Sequence, residues 1–434
     1  MSSGNQGATH MHSYSARRSR TKAWAFLSIA TLCTALACSN LLDVKAPDAI
    51  NTSSLEVPAS AQLLVFSSIG DFDCAYTSYI VASGLMSDEL METTLTASRW
   101  SYDRRDIDPN EAAYSTNDCT TLGTYTPIST ARFTSDHVLG LLSGWTDAQV
   151  PNRQFLIAQA ASYAGYSRIL LGEGFCSAAI AGGPALTSAQ IFALAVGKFD
   201  TAVTAATAAP DDSTLNLALV GRARAELDNG DNANAIADAS RVPQGFVYYA
   251  TYNNGSAQRT NRVYSENNAN QSVSVSFEYD SLNDSRVSVT DQHALASDRH
   301  TELWTQNKYP SGSASIPIAS YIEAQLIVAE ATGGPTAITI LNNLRTTVSL
   351  PPLPPSGDPA VIKADIASER ARWLFLQGTH LYDVRRLQLP LVPAADGSYS
   401  RVYHKGGNYG SETCMPLPAV ETNNNPNARN PPSP

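Results

Sequence analysis

Two glutamates seven residues apart, Glu323 and Glu330, form the pair in this 434-residue chain that most invites a catalytic reading. Glycoside hydrolysis uses two carboxylates about 5–9.5 Å apart, one as acid and one as base or nucleophile. Seven residues of helix rise about 10.5 Å, which is beyond that range. Both glutamates also stand beside apolar core positions, so packing against Arg345 is the expected role. The densest charged cluster is Glu369, Arg370, Arg372, Asp383, Arg385 and Arg386, set around apolar Trp373, Phe375 and Leu376. It predicts ion pairs that lock a late helix to its connector rather than acid–base machinery. Beyond residue 37 the histidines are His137, His293, His300, His380 and His404, and none has the i, i+4 spacing of a helical zinc pair. No metal or cofactor is expected, although the Asp- and Asn-rich loops leave a structural calcium ion open. The chain has no G-x-S-x-G, no phosphate loop and no C-x-x-C.

The cysteine whose neighbours give its thiol a reaction is Cys38. A basic stretch, Arg17-Arg18-Ser19-Arg20-Thr21-Lys22, precedes 15 uncharged, mainly apolar residues from Ala23 to Ala37. That run is too short to span a hydrocarbon core, which needs about 20 residues, and it has the layout of a signal peptide. Met11 is an equally good start, and Arg17-Arg18 lacks the hydrophobic residue that usually follows a twin-arginine pair. The segment ends in Ala35-Leu36-Ala37-Cys38-Ser39, which resembles the lipobox of bacterial lipoproteins, with Ala35 where Leu is usual. The resemblance implies removal of residues 1–37 and a thioether to diacylglycerol on Cys38. Acyl chains at about 0.8 kcal/mol per buried methylene would hold a soluble body at a membrane. Ser39 rather than Asp after the cysteine favours the outer membrane. The remaining cysteines, Cys74, Cys119, Cys176 and Cys414, are even in number in an exported chain. Of three connectivities, Cys74–Cys119 within the irregular N-terminal part is favoured, which leaves Cys176–Cys414.

The chain carries 29 basic and 39 acidic residues, and without the four cations of the leader the net charge falls from −10 to −14. Such a surface repels phosphate backbones, which argues against nucleic acid as a partner.

The elements that must position these residues read as mainly α. A helix is expected over roughly 57–68, long loops over 98–130, and helical periodicity from Asn152 to Gly172. Thr187-Ser188-Ala189-Gln190 caps a helix carrying Phe192, Ala195 and Phe199. Leu217 to Ala225 leads through Asp228-Asn229-Gly230-Asp231 into Ala235–Ala239 and ends at Pro243. This hairpin, with Gly221 and Ala235 allowing close approach, resembles a tetratricopeptide unit. Residues 244–315 change character: 246–249 and 273–279 alternate as strands between Asn-, Gly- and Ser-rich turns. Helices return over 318–331, 335–348 and from Asp358-Pro359 to near Gly378, and the tail 426–434 reads as extended.

The C-terminal third resembles the SusD/RagB family of outer-membrane nutrient-binding lipoproteins. The resemblance rests on Tyr321–Ala331, Leu341–Arg345, Glu369–Arg386, Met415–Glu421 with Asn423–Asn427, and the anchor followed by Leu42-Asp43-Val44. These stand in order from end to end of the chain; 98–150 and 250–315 carry nothing comparable.

The resemblance implies one domain over 38–434. Its fold would be a tetratricopeptide-like helical hairpin scaffold, roughly 152–243 and 316–378, carrying an irregular loop and short-strand insert, roughly 244–315. It further implies a binding protein rather than an enzyme. Such a protein holds a glycan, or a peptide, as a lid on a TonB-dependent SusC-like transporter at the cell exterior. Aromatics suit sugars because apolar C–H patches stack on rings, so Trp100, Tyr102, Tyr252, Trp304 and Tyr309 are the expected ligand contacts. A lipid-anchored tetratricopeptide scaffold for protein assembly is the alternative, and a secreted hydrolase a weaker one.

Overall fold

A computed structural model describes residues 52–395 and 405–432. Its compact units are Met1–Leu55, of which one helical turn, Thr52–Leu55, is described, and Glu56–Pro434. Cys38, the leader and His404 lie outside the described residues.

The second unit is a succession of packed helices: α1 (Ala61–Met86), α2 (Tyr125–Gly144), α3 (Arg153–Gly174), α4 (Ser188–Ala208), α5 (Asp212–Asp228), α6 (Asn232–Ala239), α7 (Tyr321–Thr332), α8 (Gly334–Thr347), α9 (Pro359–Trp373) and α10 (His380–Arg386). Each packs on the next from α2 through α9, and α1 lies against α2 and α3. The starts are set by side-chain caps that satisfy otherwise orphaned backbone donors. Thr187 and Gln190 form a reciprocal capping box on α4. Asp211, Asp231, Ser320 and Asp358 accept from backbone N–H groups at the starts of α5, α6, α7 and α9.

In the packing of α3, α4 and α5, one ring lies against two glycines. Phe199 of α4 lies so near Gly165 and Gly221 that a Cβ there would meet it at 2.6 and 2.4 Å. Gly221 thus admits a phenyl ring from α4 rather than simply drawing α6 closer. A smaller cluster, including Leu326, Ile338, Leu341, Leu344 and Ile366, joins α7, α8 and α9.

Among the described residues, eight short strands pair antiparallel in twos: β1 (Leu90–Glu92) with β5 (Val273–Val275), β2 (Ser177–Ala179) with β3 (Ala185–Thr187), β4 (Val247–Ala250) with β8 (Ile316–Ser320), and β6 (Val289–Leu295) with β7 (Glu302–Gln306). Cys74 is bonded to Cys119 and Cys176 to Cys414, with Cα atoms 5.7 and 5.1 Å apart. The second link continues a main-chain seam, Cys176 N to Met415 O at 2.9 Å and Met415 N to Gly174 O at 2.8 Å.

Several expectations need correction. The helix read as 57–68 runs to Met86, because from Phe72 onward α1 is buried on every side and so shows no amphipathic stripe. Within 98–130, short helices occupy Trp100–Arg104 and Ala112–Ser115, and α2 begins at Tyr125. The strand expected over 273–279 stops at Val275, and Ser276 caps a helical turn, Phe277–Asp280. Residues 318–320 belong to β8, whose last residue caps α7. The tail opens with a 3-10 turn, Pro426–Ala428.

Candidate ligand-binding cleft

The two stretches that carry no family resemblance, 98–150 and 250–315, meet across α1. One face of α1 presents Phe66, Ser67, Gly70, Asp71 and Cys74, the i, i+4, i+8 spacing of neighbouring turns. Facing it are Thr126, Pro127 and Thr130 of α2, Asp118 and Cys119 of the disulfide-pinned turn, and the Ser256–Arg259 turn of the insert. Together they enclose a cleft of about 490 Å³, within the usual range for small-ligand sites.

Its chemistry is that of an amphipathic ligand. Phe66 is 51% exposed at the edge, an apolar face left open to solvent. Arg259 is held by its Nη2 on Thr251 O at 3.2 Å and by Asp73, 3.9 Å from Nη1. Gly70 permits that placement, since a Cβ there would stand 3.1 Å from Nη1. Asp73 is buried behind the cleft, and burial pushes its carboxyl up to about 7 against the pull of Arg259 and the Thr251 N–H. Asp71 is also raised by burial, with Thr134 opposing. Asp118 is lowered by its bonds from Thr120, at 2.6 Å from Oγ1 and 2.9 Å from N. Ser256 and Gln258 are exposed at the rim. An apolar ring beside this set of donors and acceptors matches a sugar's C–H face and hydroxyl edge.

The aromatics expected from the sequence lie elsewhere. Tyr102, Tyr252 and Tyr309 are core residues, 1%, 7% and 2% exposed. Each hydroxyl donates to a main-chain carbonyl: Leu122 at 3.0 Å, Asp73 at 3.0 Å and Leu376 at 3.1 Å. A buried phenol needs such a partner, and once it has one the ring is closed to ligand. Trp304 is half-buried on β7 and packs on the main core. Trp100 donates its indole N–H to Thr94 O at 2.9 Å and carries Arg104 over its ring at 4.9 Å. None of the five lines the cleft. Phe66, the ring that does, falls inside the expected first helix, where its apolar character reads as core.

The acidic and basic side chains that invited a catalytic reading are consumed inside the scaffold. Glu323 faces Arg224 at 3.6 Å, and Glu330 pairs with Arg370 at 3.4 Å and with Arg386. Arg345, expected to hold them, instead bonds Glu369 at 2.5 Å, which also takes Arg286 at 2.5 Å. Arg370 meets Asp383 at 2.8 and 2.9 Å, the expected lock between α9 and α10. Among the described residues no three His, Cys, Asp or Glu side chains gather as metal ligands.

The sequence matches no family model, and no curated protein is similar to it. Solved structures are similar in fold. A SusD-like carbohydrate-binding protein from Bacteroides vulgatus superposes with a TM-score of 0.65 at 15% identity, covering 86% of this chain and 97% of that one. A laminarin-binding SusD-like protein gives 0.62 at 14% identity, over 84% and 96%. Surface glycan-binding protein A from Bacteroides thetaiotaomicron, in complex with laminarihexaose, gives 0.62 at 13% identity, over 85% and 98%. Over 86% of its length, this chain has the fold of the SusD-like proteins.

Proposed function

We propose that this protein is an outer-membrane lipoprotein of the SusD/RagB family, anchored through Cys38, that captures a nutrient glycan and passes it to a TonB-dependent SusC-like transporter. The observation that carries the reading is the cleft of Phe66, Asp71 and Arg259, formed where the two variable stretches meet on a SusD-like scaffold. The leader and the lipobox-like Ala35–Ser39 support the anchor. Binding of laminarin and of laminarihexaose by two proteins of this fold makes a β-glucan oligosaccharide the first ligand to offer. The ligand is held and released rather than transformed.

Calorimetric titration of the mature protein with a panel of oligosaccharides, laminarihexaose among them, and of peptides tests the reading. Saturable binding of a glycan is expected, with Phe66→Ala and Arg259→Ala each weakening it about tenfold, the loss typical of a central contact. Binding of peptides alone would reassign the nutrient, and wild-type affinity in both variants would remove the cleft. Co-purification with a TonB-dependent barrel from detergent-solubilised outer membrane tests the delivery step.

A further inference from the structure

A second cleft, about 370 Å³ in volume, opens between β4–β8 and the end of α9. No residue lines both clefts. Its apolar side is made by Val247 and Tyr249 from β4, Ile322 from α7, Val348 beyond α8, and Trp373 and Leu374 at the end of α9, with Ser285, Ser288, Ser320 and Gln377 between them. Tyr249 is 47% exposed, a large ring left uncovered.

Two cations reach this cleft, and they differ in what they already hold. The Arg286 guanidinium is saturated: it meets Asp284 at 2.9 and 2.7 Å and Glu369 at 2.5 and 3.2 Å, and lies over Trp373 at 5.1 Å. Lys308 forms no ion pair with a carboxylate among the described residues; its amine donates to Phe375 O at 2.7 Å. An ammonium has three donors; one is used on Phe375 O, and the Tyr309 ring lies 5.8 Å from Nζ. Burial without a contacting carboxylate pushes this amine down to about 7, with the nearby charge of Glu89 opposing the fall. A cation kept in this cleft without a carboxylate in contact is a place where an anion gains more than it would in water.

We infer that this cleft binds an organic acid, a carboxylate on an aryl or alkyl body, with the carboxylate on Lys308 Nζ and the body against Tyr249 and Val348. The carboxylate supplies a counter-charge in direct contact, and the apolar body covers the apolar side chains otherwise left to water. Either a free organic acid or the apolar C-terminal residue of a peptide presents this chemistry. The inference is independent of the glycan reading, because the two clefts share no lining residue.

Titration of the mature protein at pH 7 with 3-phenylpropionate, 3-phenylpropionamide and N-acetyl-glycyl-phenylalanine tests it. An acid is expected to bind at least about tenfold more tightly than the amide, the gain of one charge-assisted contact. Lys308→Met should abolish that preference, and Tyr249→Ala should weaken acid and amide alike. Tighter binding of the dipeptide acid assigns the site to chain ends, and tighter binding of phenylpropionate to free acids. Equal affinity for acid and amide, no saturable binding of any probe, or an unchanged preference in Lys308→Met would each overturn the inference. Should Lys308→Met fail to fold, the acid–amide comparison on the wild type and on Tyr249→Ala still decides, since the exposed Tyr249 is not needed for the core.

Discussion

Arg224 and Glu173 face each other at 2.6 Å through two parallel hydrogen bonds inside the helical body, and Glu323 approaches the same guanidinium. Such groups persist in a core only because each is paired, since an isolated buried charge is costly. Glu89 marks the other extreme. Its Oε1 accepts from Leu376 N at 2.8 Å, while Oε2 is buried without a hydrogen-bond partner among the described residues. Burial lifts its carboxyl from the usual 4.5 to about 7, with His380 and Lys308 pulling down and Asp88 pushing up. The folded chain therefore holds a proton there that the unfolded chain releases. That contribution to stability is complete below about pH 4.5 and is lost as pH rises through about 7. Glu89→Gln keeps the acceptor for Leu376 and does not titrate. Denaturant unfolding across pH 4.5–8 is expected to show the variant gaining on the wild type with rising pH, by up to about 3 kcal/mol. Parallel stability curves would show that Glu89 titrates normally.

At the scale of elements, the hairpin of α4 and α5 depends on Phe199 lying against Gly165 and Gly221. The ring is fully buried, and the nearest atoms are aromatic carbons of a side chain with little room to turn. Gly221→Ala should force ring and helix apart and destabilise the fold by about 1–3 kcal/mol, the usual cost of overpacking, despite the better helix propensity of alanine. Thermal melting followed by circular dichroism measures this; an unchanged or raised Tm would mean that the pair relaxes freely. The hairpins from Thr187 to Ala239 were legible because their caps are local: Thr187 with Gln190, and Asp231 before α6, act within three residues. The length of α1 was not, since a helix buried on all sides leaves no period in its sequence.

For the whole molecule, the Cys176–Cys414 bond joins the end of α3 to a segment 238 residues later, beside the main-chain seam at Met415. Closing so long a loop restricts the unfolded chain most, so its loss should cost about 2–5 kcal/mol. Cys414→Ser is expected to lower the Tm in oxidising buffer, whereas in reductant sufficient to open both bonds the variant and the wild type should converge. Equal stability in oxidising buffer would show that the seam holds without the bond. The candidate site also belongs to this scale: Phe66, Asp118 and Arg259 are brought together from three separate parts of the chain.

The sequence by itself determined the helical class, the repeat hairpins and the ion-paired cluster around Glu369–Arg386, because periodicity, capping and short-range charge pairing act locally. Only the tertiary structure decided which rings are free. An aromatic side chain in a variable loop serves equally as core or as ligand platform, and its exposure depends on which distant segment covers it. Tyr102, Tyr252 and Tyr309 were covered and bonded to main-chain carbonyls. Among the described residues Phe66 and Tyr249 keep about half their surface exposed, and their two clefts are spaces between elements far apart in the chain.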